Sequence, residues 1–297
     1  MRYVTVTESN IGVGKKTNQD SVLVKHAIYG NDEILMAIVC DGLGGLSQGE
    51  LASASVVCEF DEWFIKELPR ELKVFDMDII GGKWILLIRN LNVRIQEYGN
   101  EHGKKLGTTF TGVLFVNNQL VAVHVGDTRL YYIDDSVRQM TEDHTFVARE
   151  VLSGRLTLEQ ARGDKRRHTL LQCVGASKMI EPQVICEEVR QGIYILCSDG
   201  FPNRLTEKEL LDVFGEKKRK DEKRIKSDIR QLEELVRKRG EKDDVSVILI
   251  KADDKKCFTK KNWKGFKGRL SCNGKRYQVL GICFLISSIV MLILGLL

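Results

Sequence analysis

The chain mixes stretches that are apolar at every position with stretches where apolar residues return at a fixed period. Residues 34–40 read Ile-Leu-Met-Ala-Ile-Val-Cys with no polar break, which predicts a fully buried strand. Residues 1–7 alternate polar and apolar and predict another. Strand-like runs recur at Phe110–Val116, 120–125 and Arg129–Ile133, separated by Asn117-Asn118 and Gly126-Asp127-Thr128, with a turn at Asp134-Asp135. Connections this short predict antiparallel hairpins, not parallel strands joined by helical crossovers. Further strands are predicted at Gln183–Glu188, 194–197 and 245–250.

Three segments carry a helical period. Trp84, Ile88, Leu91, Ile95 and Tyr98 step by three and four. Ser47-Gln48-Gly49-Glu50 is a capping-box pattern, opening a helix whose apolar face is Ala54, Val57, Phe60, Phe64 and Leu68 and which stops at Pro69. Residues 216–239 predict a third helix, with Ile225, Ile229, Leu232 and Leu235 inward and Gly240 closing it. Residues 145–180 read as an irregular, partly helical excursion rich in Arg and Lys. Helices among antiparallel hairpins predict a layered α+β fold.

The net charge of +5 is unevenly placed. Nine of the 46 Lys and Arg lie within residues 255–276, which hold no Asp or Glu; the other 37 face all 41 acidic residues. The body of the chain is therefore mildly acidic, so nucleic acid is not an expected partner. The eight cysteines show neither Cys-x-x-Cys pairing nor zinc-ligand spacing and suit a reducing compartment. Residues 279–297 carry no charge and would make a helix of about 28 Å, close to a bilayer's ~30 Å core. With the basic stretch before them, they predict a C-terminal transmembrane anchor that leaves the rest cytoplasmic, at the cell membrane and touching its lipid. The expected organisation is a domain at 1–254, a basic juxtamembrane linker at 255–278 and a transmembrane helix at 279–297.

Aspartates recur five times beside the strand candidates, each read as placed where an apolar run ends: Asn18-Gln19-Asp20, Cys40-Asp41-Gly42, Gly126-Asp127, Ser198-Asp199-Gly200 and Asp243-Asp244. A single Asp-Gly is ordinarily a turn. Five recurrences predict carboxylates gathered at strand ends, which repel one another unless a cation neutralises them. An all-oxygen cluster suits a hard divalent metal.

In order along the chain, these motifs resemble those of the metal-dependent Ser/Thr protein phosphatases, the protein phosphatase 2C family. Asn18-Gln19-Asp20 is similar to the first motif, and Asp41-Gly42-Leu43-Gly44-Gly45 with Gly49-Glu50 to the second. Gly107-Thr108-Thr109, Gly126-Asp127-Thr128-Arg129, Thr141-Glu142-Asp143-His144-Thr145, Ser198-Asp199-Gly200 and Asp243-Asp244-Val245-Ser246-Val247 follow, so the resemblance covers about residues 1–252. It implies a four-layer α-β-β-α sandwich of two antiparallel sheets flanked by helices. It also implies hydrolysis of phosphoserine and phosphothreonine on proteins, the substrates of a Ser/Thr kinase, with two or three Mn²⁺ or Mg²⁺ ions.

By the same resemblance Asp41 bridges two metals, the Gly42 carbonyl binds one of them, and Asp199 and Asp243 bind the other. Asp20 acts through water, and Asp127 contributes to a third site. Lys15 stands where many members carry the Arg that grips the substrate phosphate, keeping the charge without the bidentate fork. Leu43 stands where eukaryotic members often have His, so no side chain there protonates the leaving group. Thr108, Thr109 and His144 are expected to be structural. A second reading is an inactive homologue serving as a membrane-tethered phosphoprotein-binding module; the survival of Asp41, Gly42, Asp199 and Asp243 favours the enzyme.

Overall fold

The computed structural model describes residues 1–43, 48–215, 222–253, 268–272 and 275–280. One antiparallel sheet is ordered β1 (Arg2–Asn10), β10 (Val245–Asp253), β9 (Gly192–Cys197), β6 (Arg129–Ile133), β7 (Val137–Gln139). The other runs β11 (Gly268–Cys272), β12 (Lys275–Leu280), β2 (Asp20–Tyr29), β3 (Asp32–Asp41), β4 (Phe110–Val116), β5 (Gln119–Val125), β8 (Gln183–Glu188). Two of the three expected hairpins are present, β4–β5 closing at Val116↔Gln119 around Asn117 and Asn118 with positive φ, and β6–β7 across Asp134-Asp135. The third is not: β5 and β6 lie in different sheets, so Gly126-Asp127-Thr128 carries the chain from one sheet to the other.

Strand β3 shows why an unbroken apolar run was needed. Leu35, Ala37 and Val39 share a core with Tyr194, Ile248 and Ile250 of the facing sheet. Ile34, Met36, Ile38 and Cys40 point the other way, toward α1 (Gly49–Lys66) and α3 (Met77–Glu101). That outer core holds Phe60, Trp63, Trp84 and Phe110, with Trp84 edge-on to both Phe60 and Trp63. Strand β10 divides likewise: Ile248 and Ile250 face the inter-sheet core, while Val247 and Leu249 meet α6 (Glu207–Phe214) and α7 (Glu222–Lys238). Four layers result, with both sheets sandwiched between helices. Two short helices, α4 (Phe146–Leu152) and α5 (Leu158–Gly163), punctuate the basic excursion, while α2 (Leu68–Glu71) follows α1.

Several elements differ from expectation. Ser47, the expected cap of α1, lies outside the described residues; Gln48 precedes the helix at φ 64° without a side-chain cap. Helix α6 was not expected, although Thr206 and Glu209 form a capping box at its start. On α7 the fully buried position is Val236 and Leu235 is half-buried, while residues 216–221 lie outside the described set. Tyr98 is exposed and stacks on His102.

Within the stretch expected to be a linker, β11 and β12 form a hairpin, and β12 pairs with β2 at Gln278↔Ile28, Val279↔Ala27 and Leu280↔His26. Val279 and Leu280, expected to begin a helix, therefore end a strand, because the edge of β2 offers unpaired backbone groups that a strand satisfies. Among the described residues no helix is long and apolar enough to cross a membrane, and residues 281–297 lie outside them.

Helix α7 is tied to the end of β1 through one buried acid. Both carboxylate oxygens of Glu233 accept from Asn10 Nδ2, at 3.2 and 3.1 Å. Burial pushes this carboxyl up to about 7, against the Asn10 hydrogen bond. An unfolded glutamate titrates near ~4.3, so the native state holds its proton longer and loses stability as pH rises through about 7. Glu233→Gln removes that loss and should be more stable than the parent by about 2 kcal/mol at pH 8, with little difference at pH 4. Denaturant unfolding across that range measures it; parallel pH profiles for the two proteins would refute the assignment.

Candidate metal centre

The acidic motifs converge at one end of the sandwich, where β2 begins, β3 ends, β9 ends and β10 begins. Asp20 and Asp41 are register partners across β2 and β3. Asp20 thus opens its strand instead of following an apolar run. It is buried, and neither carboxylate oxygen makes a hydrogen bond. Burial pushes it up to about 7; nearby Asp244 and Asp199 add to this, while the Ser246 and Ser198 hydroxyls oppose it. Burial also raises Asp41 well above the carboxylate range, reinforced by Asp20, Asp199, Asp127 and Asp243. Asp127 is raised in the same way, by burial and then by Asp199 and Asp143.

Backbone contacts fix Asp41. The Thr109 amide and the Thr108 hydroxyl donate to the Asp41 carbonyl at 2.8 and 2.9 Å, and Thr109 Oγ1 accepts from the Asp41 amide at 2.9 Å. The two threonines are structural, as expected. Gly42 lies against Gly49 at the start of α1: a Cβ on Gly49 would fall 2.8 Å from the Gly42 carbonyl carbon and 2.9 Å from the Leu43 nitrogen. Close approach of backbones, and not a left-handed turn, is what requires glycine at both positions.

The Asp127 turn is shaped from beneath. His144 Nδ1 accepts from the Gly126 amide at 3.1 Å, and the His144 amide donates to the Gly126 carbonyl at 2.7 Å. Burial lowers the pKa of His144, which suits an acceptor nitrogen. Arg129, two residues past Asp127, forks onto Asp143 at 2.9 and 2.6 Å. Two motifs that are separate in the sequence are one ion pair in the fold.

Asp243 and Asp244 divide their work. Asp244 is buried and accepts from the Gly12 amide at 2.7 Å, the Gln19 amide at 3.0 Å and Lys15 Nζ at 2.9 Å. It clamps the loop that carries Lys15 into Asp20. Lys15 Nζ also bonds Asp243, and although burial alone would lower its pKa, the two carboxylates raise it. The expected phosphate clamp is thus engaged with an expected metal ligand. Asp199 Oδ2 meets Asn203 Nδ2 at 3.3 Å and His168 Nδ1 at 3.4 Å. Asp244 and His168 were missed as site residues. The adjacent Asp-Asp pair hinted at the first, but nothing local marks the second.

Among the described residues no three acidic, His or Cys side chains close around a single point. The chemistry of the donor set nevertheless fits divalent cations: every candidate ligand is oxygen, neither Asp20 carboxylate oxygen has a hydrogen bond, and burial with acidic neighbours raises Asp20, Asp41 and Asp127.

The family model for protein phosphatase 2C matches residues 9–237. The chain belongs to that family. A putative protein phosphatase 2C-type protein of Streptococcus pyogenes is 27% identical over 248 residues, 82% of this chain and 95% of its own length. The serine/threonine protein phosphatase PstP of Mycobacterium tuberculosis is 28% identical over 86% of this chain, which spans only 45% of PstP. Among solved structures, the serine/threonine phosphatase of S. agalactiae superposes with a TM-score of 0.75 at 24% identity, covering 85% of this chain and all of that one. The PstP catalytic domain in complex with two manganese ions gives 0.67 at 27% identity, over 85% and 99%.

Replacing the Asp244 carboxylate with an amide removes its charge and turns one of its two acceptor oxygens into a donor, facing either the Gly12 amide or the Gln19 amide and Lys15. Asp244→Asn should lower the unfolding free energy by about 3 kcal/mol. Denaturant unfolding without added metal measures this, and a change below about 0.5 kcal/mol would refute the clamp.

Proposed function

We propose that this chain hydrolyses phosphoserine and phosphothreonine on proteins, using Mn²⁺ or Mg²⁺ held by Asp41, the Gly42 carbonyl, Asp199 and Asp243. Asp20 orders water behind these ligands, and Asp127 with Asp199 provides for a third ion. The observation that carries the reading is the buried Asp20 carboxylate, without a hydrogen bond, among four further aspartates, a cluster whose mutual repulsion divalent cations would relieve. When bound, divalent ions acidify water and neutralise phosphoryl oxygens, the two demands of phosphomonoester hydrolysis. The chain's own part is to hold the carboxylates rigidly. Thr108 and Thr109 fix Asp41, His144 fixes the Asp127 turn, and Asp244 fixes the loop before Asp20. Lys15 supplies the positive charge for the substrate phosphate, exchanging the half-open Asp243 for it while keeping Asp244.

The substrates are proteins phosphorylated by a Ser/Thr kinase, met at the cytoplasmic face of the cell membrane. The uncharged apolar residues that follow Leu280 support a membrane-spanning segment, and the basic residues before them support its orientation. Full-length protein should stay with membranes through carbonate extraction. Recovery in the soluble fraction would remove this part of the proposal.

Asp41→Asn, Asp199→Asn and Asp243→Asn should each lower metal-dependent turnover of a phosphothreonine peptide by at least about 100-fold. Near-parental turnover in Asp41→Asn would sink the proposed site. Lys15→Ala should raise KM and depress kcat/KM, while Lys15→Arg should equal or improve on the parent, since a guanidinium meets two phosphate oxygens. Steady-state kinetics with one peptide tests both; unchanged constants in Lys15→Ala would take the phosphate role from this residue.

A further inference from the structure

The excursion between β7 and β8 is strongly basic, with seven Lys and Arg against three Asp and Glu over residues 145–180. Its acids are largely spoken for. Glu150 pairs with Arg155 and Arg149, and Asp164 binds Arg166 at 2.7 Å. Arg166 also lies over the Phe146 ring, 4.1 Å from its centroid. Four cations remain, Arg162, Lys165, Arg167 and Lys178, all exposed and, among the described residues, without an ion pair; the first three lie together just before His168.

The segment that carries these three cations is held at the candidate metal centre by its ends. The next residue, His168, reaches Asp199. The Thr169 carbonyl accepts from the Phe146 amide at 2.8 Å, and the Leu171 amide donates to the His144 carbonyl at 2.8 Å. His144 in turn forms the Asp127 turn. The segment is therefore pinned on both sides of its cationic stretch to elements that carry Asp127 and Asp199. A peptide whose phosphate reached those aspartates would lay its neighbouring residues against Arg162, Lys165 and Arg167.

We propose that Arg162, Lys165 and Arg167 select phosphoproteins with acidic residues flanking the phosphorylated Ser or Thr. This deepens the phosphatase reading and rests on it. Free cations on an otherwise acidic body provide the charge complementarity, which steers encounter and suppresses basic partners. An anionic membrane surface would also attract such a patch, but the tether to Asp199 faces it toward the site's own substrate.

The test uses full-length protein with Mn²⁺ and two phosphothreonine peptides of equal length, one with Asp and Glu flanks and one with Ser and Gly flanks. Each exposed charge pair contributes roughly a 1.5- to 5-fold effect. The acidic peptide should therefore show a kcat/KM about tenfold higher, carried by KM, and the advantage should shrink as salt rises. The triple variant Arg162→Ala/Lys165→Ala/Arg167→Ala should lose the advantage while keeping the parental kcat/KM on the neutral peptide. Triple replacement by Glu should reverse the order. Fluorescence anisotropy of the same labelled peptides reads binding without turnover. If neither peptide is hydrolysed yet the binding preference follows the three cations, the catalytic reading fails and this one stands. Equal handling of the two peptides by the parent, or an advantage kept by the triple variant, overturns the proposal. So does a variant that loses only its binding to phosphatidylserine vesicles.

Discussion

Folding forces like charges together here. Asp20 and Asp41 are paired across adjacent strands, and Asp127, Asp199 and Asp243 arrive at the same end of the sandwich. The cost of ionising Asp41 is raised first by burial and then by its four neighbours. Such a cluster opposes folding, so the hydrophobic layers on both sides of β3 must outweigh it. A cation recovers part of that cost by replacing repulsion with coordination.

The surroundings hold the repelling groups in place without neutralising them. Thr108 and Thr109 bond the backbone of Asp41, not its carboxylate. Gly42 and Gly49 bring α1 so close that no side chain can intervene. Asp244 is the exception: bonded to two amides and Lys15, it is a structural carboxylate beside a candidate metal ligand. Among the described residues Lys15 is the one cation bonded directly to this pair, and its two acceptors differ in exposure, Asp244 being buried and Asp243 half-open. That asymmetry suits a side chain able to exchange one partner for a phosphate.

Much of this was legible from local pattern. The unbroken run at 34–40 announced a strand buried on both faces, and short connections announced antiparallel pairing, because both signals are confined to a few neighbouring residues. The clustering of aspartates was legible for the same reason. What stayed hidden depends on distance in the chain. Asp244 bonds residues over two hundred positions away, and His168 reaches Asp199 across a segment with no period of its own. Helix α6 was short enough to escape a periodicity argument despite its capping box. The strand at Val279 and Leu280 escaped because pairing with an open edge, not side-chain pattern, decides it. The order of the motifs gave the family, and the family model matches most of the same residues.

Thermal unfolding of the full-length protein, with and without Mn²⁺, decides whether the acidic cluster is the strained, cation-seeking element described. Metal at about a hundred times its dissociation constant should raise the midpoint by roughly 5 °C or more. Asp41→Asn should raise the metal-free midpoint, by relieving repulsion, and abolish most of the gain from Mn²⁺. A parent protein indifferent to Mn²⁺, or an Asp41→Asn variant less stable than the parent without metal, would mean that these carboxylates are not what the rest of the fold is built to restrain.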